Sequence, residues 1–233
     1  IDPVFGGMDD FIKLIEEAHA RNIRIIMDVA LNHTSYLHPW FVESSSSRDN
    51  PKRDWYIWRD PVKGGPPNNW RSAFLGSSWE WHPQTEQYYL HTFLKEQPDV
   101  NWRNPDLADA MMEELRFWLE RGVDGFRLDV ANYFVKDKLF RNNPFSFNPI
   151  SNQLEKYNRN RPETHHIMRR LRKLVDSFGD RMLVGEVFSY PPGDSELSAS
   201  YLGTGEDELH LAFDFSLLYR KWHARKYYKC IKN

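Results

Sequence analysis

Apolar residues recur along this chain in two alternating patterns, one typical of helices and one typical of buried strands. The predicted helix 8–21 places four apolar side chains on one face: Phe11, Leu14, Ile15 and Ala18. The nearly all-apolar run 23–31 follows it, and such a run predicts a strand that is buried on both faces. A helix next to a buried strand is half of a βαβ unit, so this first pattern predicts an α/β protein.

The same alternation resumes in the second half of the chain. Further helices are predicted at 106–121, 162–178 and 217–228, and further strands at 123–131, 182–188 and 209–215. The first three of the four predicted strands end in polar or charged residues, and right-handed βαβ connections place such ends on one edge of a sheet. A closed (β/α)8 barrel needs roughly 250 residues, so this chain holds about half of one.

Residues 34–100 interrupt the alternation. They contain a serine run at 44–47, a turn-rich stretch at 61–69 and a predicted strand at 88–93, together with many aromatic residues. A stretch so rich in aromatics can bury area, so we interpret it as an inserted subdomain. The predicted domain division is therefore 1–33 with 101–233 as the α/β part, and 34–100 as the insertion.

Composition excludes several classes of protein. The 233 residues are 40% hydrophobic and 27% charged, which is typical of soluble globular proteins. The net charge of −2 gives no basic surface for nucleic acid, and no apolar run approaches the ~20 residues of a membrane-spanning helix. A single cysteine, Cys230, excludes an internal disulfide and a cysteine zinc cluster. We expect a cytoplasmic protein and, because the chain starts in mid-pattern at Ile1, a segment of something longer.

Charged residues stand at the ends of three predicted strands: Asp28, Arg127 with Asp129, and Glu186. Arg127 and Asp129 are two residues apart and therefore point to the same face of their strand. The alternative explanation for these two charges in a buried strand is a structural ion pair. Two carboxylates from different strands that face one cleft are what glycoside hydrolysis requires, so this pattern predicts a glycosidase.

The neighbours of the two carboxylates suggest a role for each. Arg127 favours the ionised form of Asp129, which suits a nucleophile. Glu186 lies among Val184, Val187 and Phe188 without a cation next to it in the sequence, so we expect burial to raise its pKa. A carboxyl group that holds its proton suits a general acid.

Several segments resemble motifs of one known family. The runs 28–33, 125–129 and 185–187 look like three ordered signature motifs of the α-amylase superfamily. The run 97–102, Gln-Pro-Asp-Val-Asn-Trp, resembles a further motif of its α-glucosidase and oligo-1,6-glucosidase branch. The resemblance covers essentially the whole chain and rests on four motifs in the right order and spacing.

This resemblance implies a fold and a set of site residues. The fold would be a partial TIM (β/α)8 barrel spanning the third to sixth strands, with 34–100 as the inserted B domain. Asp129 resembles the nucleophile of the family and Glu186 its acid/base. The implied substrate-binding residues are Arg127, which holds the nucleophile, His33, which touches the sugar, and Phe93 and Gln97, which line the pocket. Asp28 and Asn32 are expected to order the loop that carries His33.

The activity implied by the resemblance is retaining hydrolysis of terminal α-glucosidic bonds in short oligosaccharides of the maltose or isomaltose type. We expect no metal, no other cofactor, and neither a nucleic-acid nor a membrane partner. The family has a third essential carboxylate in an Asn-His-Asp motif at the seventh strand, and this chain ends before that point. We therefore expect the isolated chain to be inactive.

The sequence leaves two alternative functions open, and it does not decide which glycosidic linkage is cleaved. One rival is a sucrose or maltose isomerase, or another transglycosylase, that uses the same two carboxylates. The other is a non-catalytic relative that resembles the heavy chains of amino-acid transporters. Val130 next to the nucleophile position is associated with α-1,6 cleavage, whereas the segments 141–144 and 160–163 look like enzymes with broader or α-1,4 preference.

Overall fold

A computed structural model of the protein describes residues 1–147, 151–189, 193–205, 207–218 and 220–232. The described residues form a four-stranded parallel sheet with helices packed against it, and a separate three-stranded antiparallel sheet. The α/β fold predicted from the alternation of helices and strands is therefore confirmed.

The helices are α1 (Met8–His19), α2 (Pro39–Ser46), α3 (Pro105–Leu119), α4 (Glu163–Asp176), α5 (Ser195–Ser200) and α6 (Ala224–Lys232). The strands are β1 (Ile26–Val29), β2 (Trp58–Arg59), β3 (Trp79–His82), β4 (Gln87–Leu90), β5 (Gly125–Leu128), β6 (Met182–Gly185) and β7 (Leu211–Ala212).

Local sequence signals set the ends of α3, the helix that leads into β5. The Asn104 side chain accepts a hydrogen bond from the Leu107 amide, and Pro105 occupies the first helical position, where no amide proton is needed. After the helix, Gly122 adopts a φ of +91°, which a residue with a side chain rarely tolerates. The chain can therefore turn at once into the buried strand.

The parallel sheet has the order β1-β5-β6-β7. Its register pairs Asp28 with Arg127 and Leu128 with Gly185, so β1, β5 and β6 end at the same level. Phe126 and Leu128 are fully buried in the main hydrophobic core, with side chains from α3 and α4 packed around them. The polar residues that follow these strands consequently lie along one edge of the sheet.

Two strands differ from the sequence prediction. Runs 23–31 and 209–215 were expected to be buried on both faces, but only β1 and β7 form there, and Leu211 is 54% exposed. β1 and β7 are the edge strands of the four-stranded sheet, so each pairs with only one neighbour. An apolar run shows that the side chains of a strand could be buried. The position of the strand in the sheet decides how many of them are buried.

Two helices also differ. Leu14 is 54% exposed, and α1 instead packs through Ile15, Ala18 and Phe11, whose ring lies 5.3 Å from that of Trp118. The last helix begins only at Ala224 rather than at 217, and position 219 lies outside the described residues. Both errors concern the outer surface, where little packing fixes the pattern.

The antiparallel sheet, in the order β2-β4-β3, lies within residues 34–100. It has a small core of its own, made of Ile57, Trp70, Trp79 and Leu90. Trp58 and Tyr89 on the same strands nevertheless pack into the main core. The division into 1–33 with 101–233 and 34–100 stays a prediction. Among the described helices, none has the length and apolar content that a membrane-spanning segment requires.

Candidate active site

A single guanidinium joins the charged residues at the ends of β1, β5 and β6. The Nη1 atom of Arg127 donates to Asp129 Oδ1 at 2.7 Å and to Asp28 Oδ1 at 2.9 Å. Its Nη2 atom donates to Glu186 Oε2 at 2.6 Å. The planar fork of an arginine can orient two carboxylates at once, and here it aligns the two predicted catalytic groups.

The backbone after β5 also contacts Glu186. Val130 adopts a left-handed conformation with φ +40°, which is uncommon for a β-branched residue. In this conformation its amide donates to Glu186 Oε2 at 3.3 Å, and the Ala131 amide donates to the Glu186 carbonyl at 2.9 Å. Strained backbone is tolerated where the surroundings enforce it, often at functional sites. The turn that follows Asp129 therefore fixes the position of Glu186.

The environment of Glu186 favours its protonated form. Burial raises the pKa of Glu186 above its usual range, and a hydrogen bond with Asp129 and the charge of Asp129 act in the same direction. The Val130 amide and the Arg127 charge act against them. No cation is next to Glu186 in the sequence, but in the folded chain Arg127 reaches it from the neighbouring strand. The raised pKa was predicted correctly, because burial outweighs that cation.

His33, Gln97 and Phe93 form a second group beside this cluster. The Gln97 amide nitrogen lies 3.0 Å from His33 Nε2, and the rings of His33 and Phe93 are 5.4 Å apart. Burial lowers the pKa of His33, although the charges of Asp99 and Asp129 oppose this. His33 and Gln97 line one cavity together with Asp28, which contacts Arg127.

A buried cation supports the loop that carries His33. The ammonium of Lys136 lies 2.8 Å from Asp99 Oδ2 and 2.8 Å from Asn32 Oδ1, and it also donates to the Tyr133 carbonyl. Asn32 in turn donates to Asp99 Oδ1 at 3.2 Å, and residues 33 and 99 form a backbone bridge. Burial lowers the pKa of Lys136. This arrangement ties the loop after β1, the insertion and the loop after β5 together.

The supporting residues were only partly predictable. Asn32 orders the His33 loop as expected, whereas Asp28 does not, because its exposed carboxylate contacts Arg127 instead. Asp99 lies within the run 97–102, and the resemblance of that run to a family motif was its signal. Lys136 gave no signal, because a lysine in a connecting loop is normally exposed.

The geometry suits general acid and nucleophilic chemistry on one bond. Two carboxyl groups contact one arginine, and a histidine and an aromatic ring lie beside them. Within the described residues, the histidines, cysteines, aspartates and glutamates form no group of three or more that could hold a metal ion.

Comparison with known proteins gives a consistent result. The family described as "Alpha amylase, catalytic domain" matches residues 1–232. A probable alpha-glucosidase of Rhizobium meliloti is 45% identical, over 94% of this chain and 42% of that protein. An oligo-1,6-glucosidase of Heyndrickxia coagulans is 43% identical, over 92% of this chain and 38% of that protein.

Solved structures agree with the sequence comparison. The crystal structure of the alpha-glucosyl transfer enzyme XgtA superposes with a TM-score of 0.93 at 40% identity, covering 100% of this chain and 45% of that one. The present chain thus spans less than half the length of the curated relatives it matches.

Proposed function

Since this chain belongs to the alpha-amylase catalytic-domain family, we propose that it carries the nucleophile and the acid/base of a retaining α-glucosidase. Asp129 is the nucleophile and Glu186 the acid/base in this proposal. The observation that supports it most directly is the contact of both carboxyl groups with the guanidinium of Arg127. Retaining glycosidases need their two carboxyl groups only ~5–5.5 Å apart, and a shared guanidinium favours such closeness.

The reaction proceeds in two displacements. The Asp129 carboxylate attacks the anomeric carbon of a terminal glucose, while the carboxyl proton of Glu186 moves to the leaving glycosidic oxygen. A covalent glucosyl ester forms on Asp129 as the bond to the leaving group breaks. Glu186, now ionised, takes a proton from a water molecule. The oxygen of that water attacks the anomeric carbon, the ester bond to Asp129 breaks, and glucose leaves with retained configuration.

The contacts of Glu186 decide which of its oxygens gives the proton. Oε2 accepts hydrogen bonds from Arg127 and from the Val130 amide, so it is the acceptor oxygen of the group. The proton of the acid form therefore resides on Oε1. Arg127 thus orients the acid while it holds the nucleophile.

Removal of either carboxylate tests this assignment. In the full-length protein that carries this chain, Asp129→Asn and Glu186→Gln should each lower kcat for 4-nitrophenyl α-glucoside by more than about 1,000-fold, because each has a separate covalent or proton-transfer role. Glu16→Gln, an exposed carboxylate on α1, is the matched control and should keep full activity. Substantial turnover by either site variant would contradict the proposal, as would a product of inverted configuration.

Glucosyl transfer is the second candidate, because the structure of XgtA, named an alpha-glucosyl transfer enzyme, matches the whole of this chain. The same ester on Asp129 would then react with a sugar hydroxyl instead of water. Product analysis with maltose, isomaltose and sucrose distinguishes the outcomes: free glucose indicates hydrolysis, and longer or rearranged saccharides indicate transfer. Substrates of the maltose or isomaltose type and a cytoplasmic location remain part of the proposal.

A further inference from the structure

The side chain of Asn132 holds the backbone that follows Glu186. Strand β6 ends at Gly185, and the Glu186 amide still donates to the Leu128 carbonyl of β5 at 2.9 Å. Two residues further on, Asn132 Nδ2 donates to the Phe188 carbonyl at 2.8 Å, and the Phe188 amide donates to Asn132 Oδ1 at 3.4 Å. One side-chain amide therefore pairs with both backbone groups of Phe188, as a neighbouring strand would.

Asn132 continues a row of contacts between the loop after β5 and the loop after β6. The Val130 amide donates to the Glu186 carboxyl group, and the Ala131 amide donates to the Glu186 carbonyl. Asn132, the next residue, pairs with Phe188. Three consecutive residues of the loop that follows the proposed nucleophile thus hold three successive points of the segment that carries the proposed acid.

Asn132 is itself fixed on its other side. Its side chain is completely buried, and its Nδ2 atom also donates to Asn160 Oδ1 at 2.8 Å. Its carbonyl accepts a hydrogen bond from the Asn160 amide at 2.8 Å. Both hydrogens of the side-chain amide are therefore used, and rotation of a buried amide would leave polar groups unpaired. Asn132 can for this reason determine where Phe188 lies.

Other contacts of Phe188 hold its backbone less directly. Its carbonyl lies 3.5 Å from Arg159 Nη1, which is longer than an ordinary N–H···O hydrogen bond. Its ring lies 5.8 Å from the ring of Phe215, and this contact fixes the side chain rather than the peptide groups. The pairing with Asn132 is therefore the main restraint that these contacts place on the chain just after Glu186.

We propose that Asn132 is a positioning residue for the acid/base: by holding Phe188, it keeps the Glu186 carboxyl group within reach of the leaving glycosidic oxygen. This inference rests on the proposed function, since it takes Glu186 as the acid. A general acid has to lie within hydrogen-bond distance of the atom that it protonates. A misplacement of about 1 Å can lower the rate about 100-fold.

Leaving groups of different basicity separate a displaced acid from a general loss of activity. Methyl α-glucoside has to be protonated as methanol leaves, whereas α-glucosyl fluoride releases fluoride with little need of an acid. In the full-length protein, we compare kcat/KM for the two substrates, because this constant reports the first displacement. Asn132→Ala should lower kcat/KM by about 100-fold for methyl α-glucoside and by less than about tenfold for the fluoride.

Two further variants separate positioning from folding. Met168→Ala removes a fully buried side chain on α4 and should lower the unfolding temperature while leaving the methyl-to-fluoride ratio unchanged. Asn132→Asp preserves the size of the side chain, but an ionised carboxylate cannot donate to the Phe188 carbonyl, so the ratio should fall as in Asn132→Ala.

An unchanged ratio in the folded Asn132 variants would overturn the inference, and so would an equal fall in Met168→Ala. Failure of both Asn132 variants to fold would overturn it as well, since Asn132 would then serve folding. Glu186→Gln distinguishes these results from failure of the proposed function. If it lowers the ratio while the Asn132 variants do not, only this inference fails. If it leaves the ratio unchanged, or if the parent cleaves neither substrate, the proposed function fails.

Discussion

In the candidate active site, the surroundings of His33 and Glu186 shift the pKa of each side chain. Burial lowers the pKa of His33, and burial together with Asp129 raises the pKa of Glu186. Both shifts favour the uncharged form. A neutral imidazole can exchange hydrogen bonds with a sugar hydroxyl, and a protonated carboxyl can give its proton to a leaving oxygen.

The lowered pKa of His33 predicts a measurable pH dependence of stability. In the unfolded chain, histidine takes up a proton below about pH 6.5, whereas buried His33 resists protonation until lower pH. The unfolded state therefore binds more protons in this window, so the free energy of unfolding falls as pH falls. Between pH 7 and 5, His33→Gln should reduce this slope by up to about 1.4 kcal/mol per pH unit.

Urea unfolding at several pH values measures this slope. His166→Gln replaces an exposed histidine on α4 and serves as the control, which should keep the parental slope. An identical slope in the parent and in His33→Gln would show that His33 does not resist protonation in the folded protein.

At the level of secondary structure, β5 can pair with β6 only because Gly125 has no side chain. A Cβ atom added to Gly125 would lie 2.0 Å from the Met182 carbonyl oxygen, far inside van der Waals contact. Gly125 pairs with Met182 at the start of the two strands that carry Asp129 and Glu186 at their ends. The close approach therefore sets the register on which the two carboxylates depend.

Gly125→Ala should lower the free energy of unfolding by about 3 kcal/mol or more, because backbone has to move to relieve the contact. Gly205→Ala is the control, since a Cβ atom there meets nothing within 4 Å and its φ is not in the left-handed region. Denaturant titration of both variants measures the difference. Equal stability of the two would mean that β5 and β6 can separate at no cost.

Across the whole molecule, one buried ion pair links segments that are distant in sequence. Lys136 and Asp99 are almost completely inaccessible, and they join the insertion to the loop after β5, with Asn32 from the loop after β1 as a third partner. A buried pair of this kind contributes little net stability, but the loss of one partner leaves an uncompensated charge.

Lys136→Met should therefore lower the free energy of unfolding by about 3–5 kcal/mol, measured by denaturant titration. The double variant Lys136→Met with Asp99→Leu should recover most of this loss, because both buried charges are gone. Arg170→Met, which breaks the exposed pair with Asp109 between α4 and α3, is the control and should cost less than about 1 kcal/mol. A double variant as unstable as the single one would argue against an unpaired charge as the cause.

Much of the fold could be predicted because its signals are local. Helical periodicity identified α1, α3 and α4, and Gly122 and Gly179 adopt positive φ values shortly after α3 and α4 end. The exposed faces of β1 and β7 and the late start of α6 could not be predicted, since burial depends on neighbours that are distant in sequence. The left-handed backbone of Val130 could not be predicted either, because the surrounding fold enforces it.

The sequence by itself determined which charged residues follow which strands, because strand ends and parallel connections place Asp129 and Glu186 on one edge. Only the tertiary structure decided how these charges are paired. Arg127 reaches Glu186 across 59 residues, and Lys136 finds Asp99 within a buried site. Strand register and loop packing bring such partners within hydrogen-bond distance, and neither is encoded in the spacing of residues along the chain.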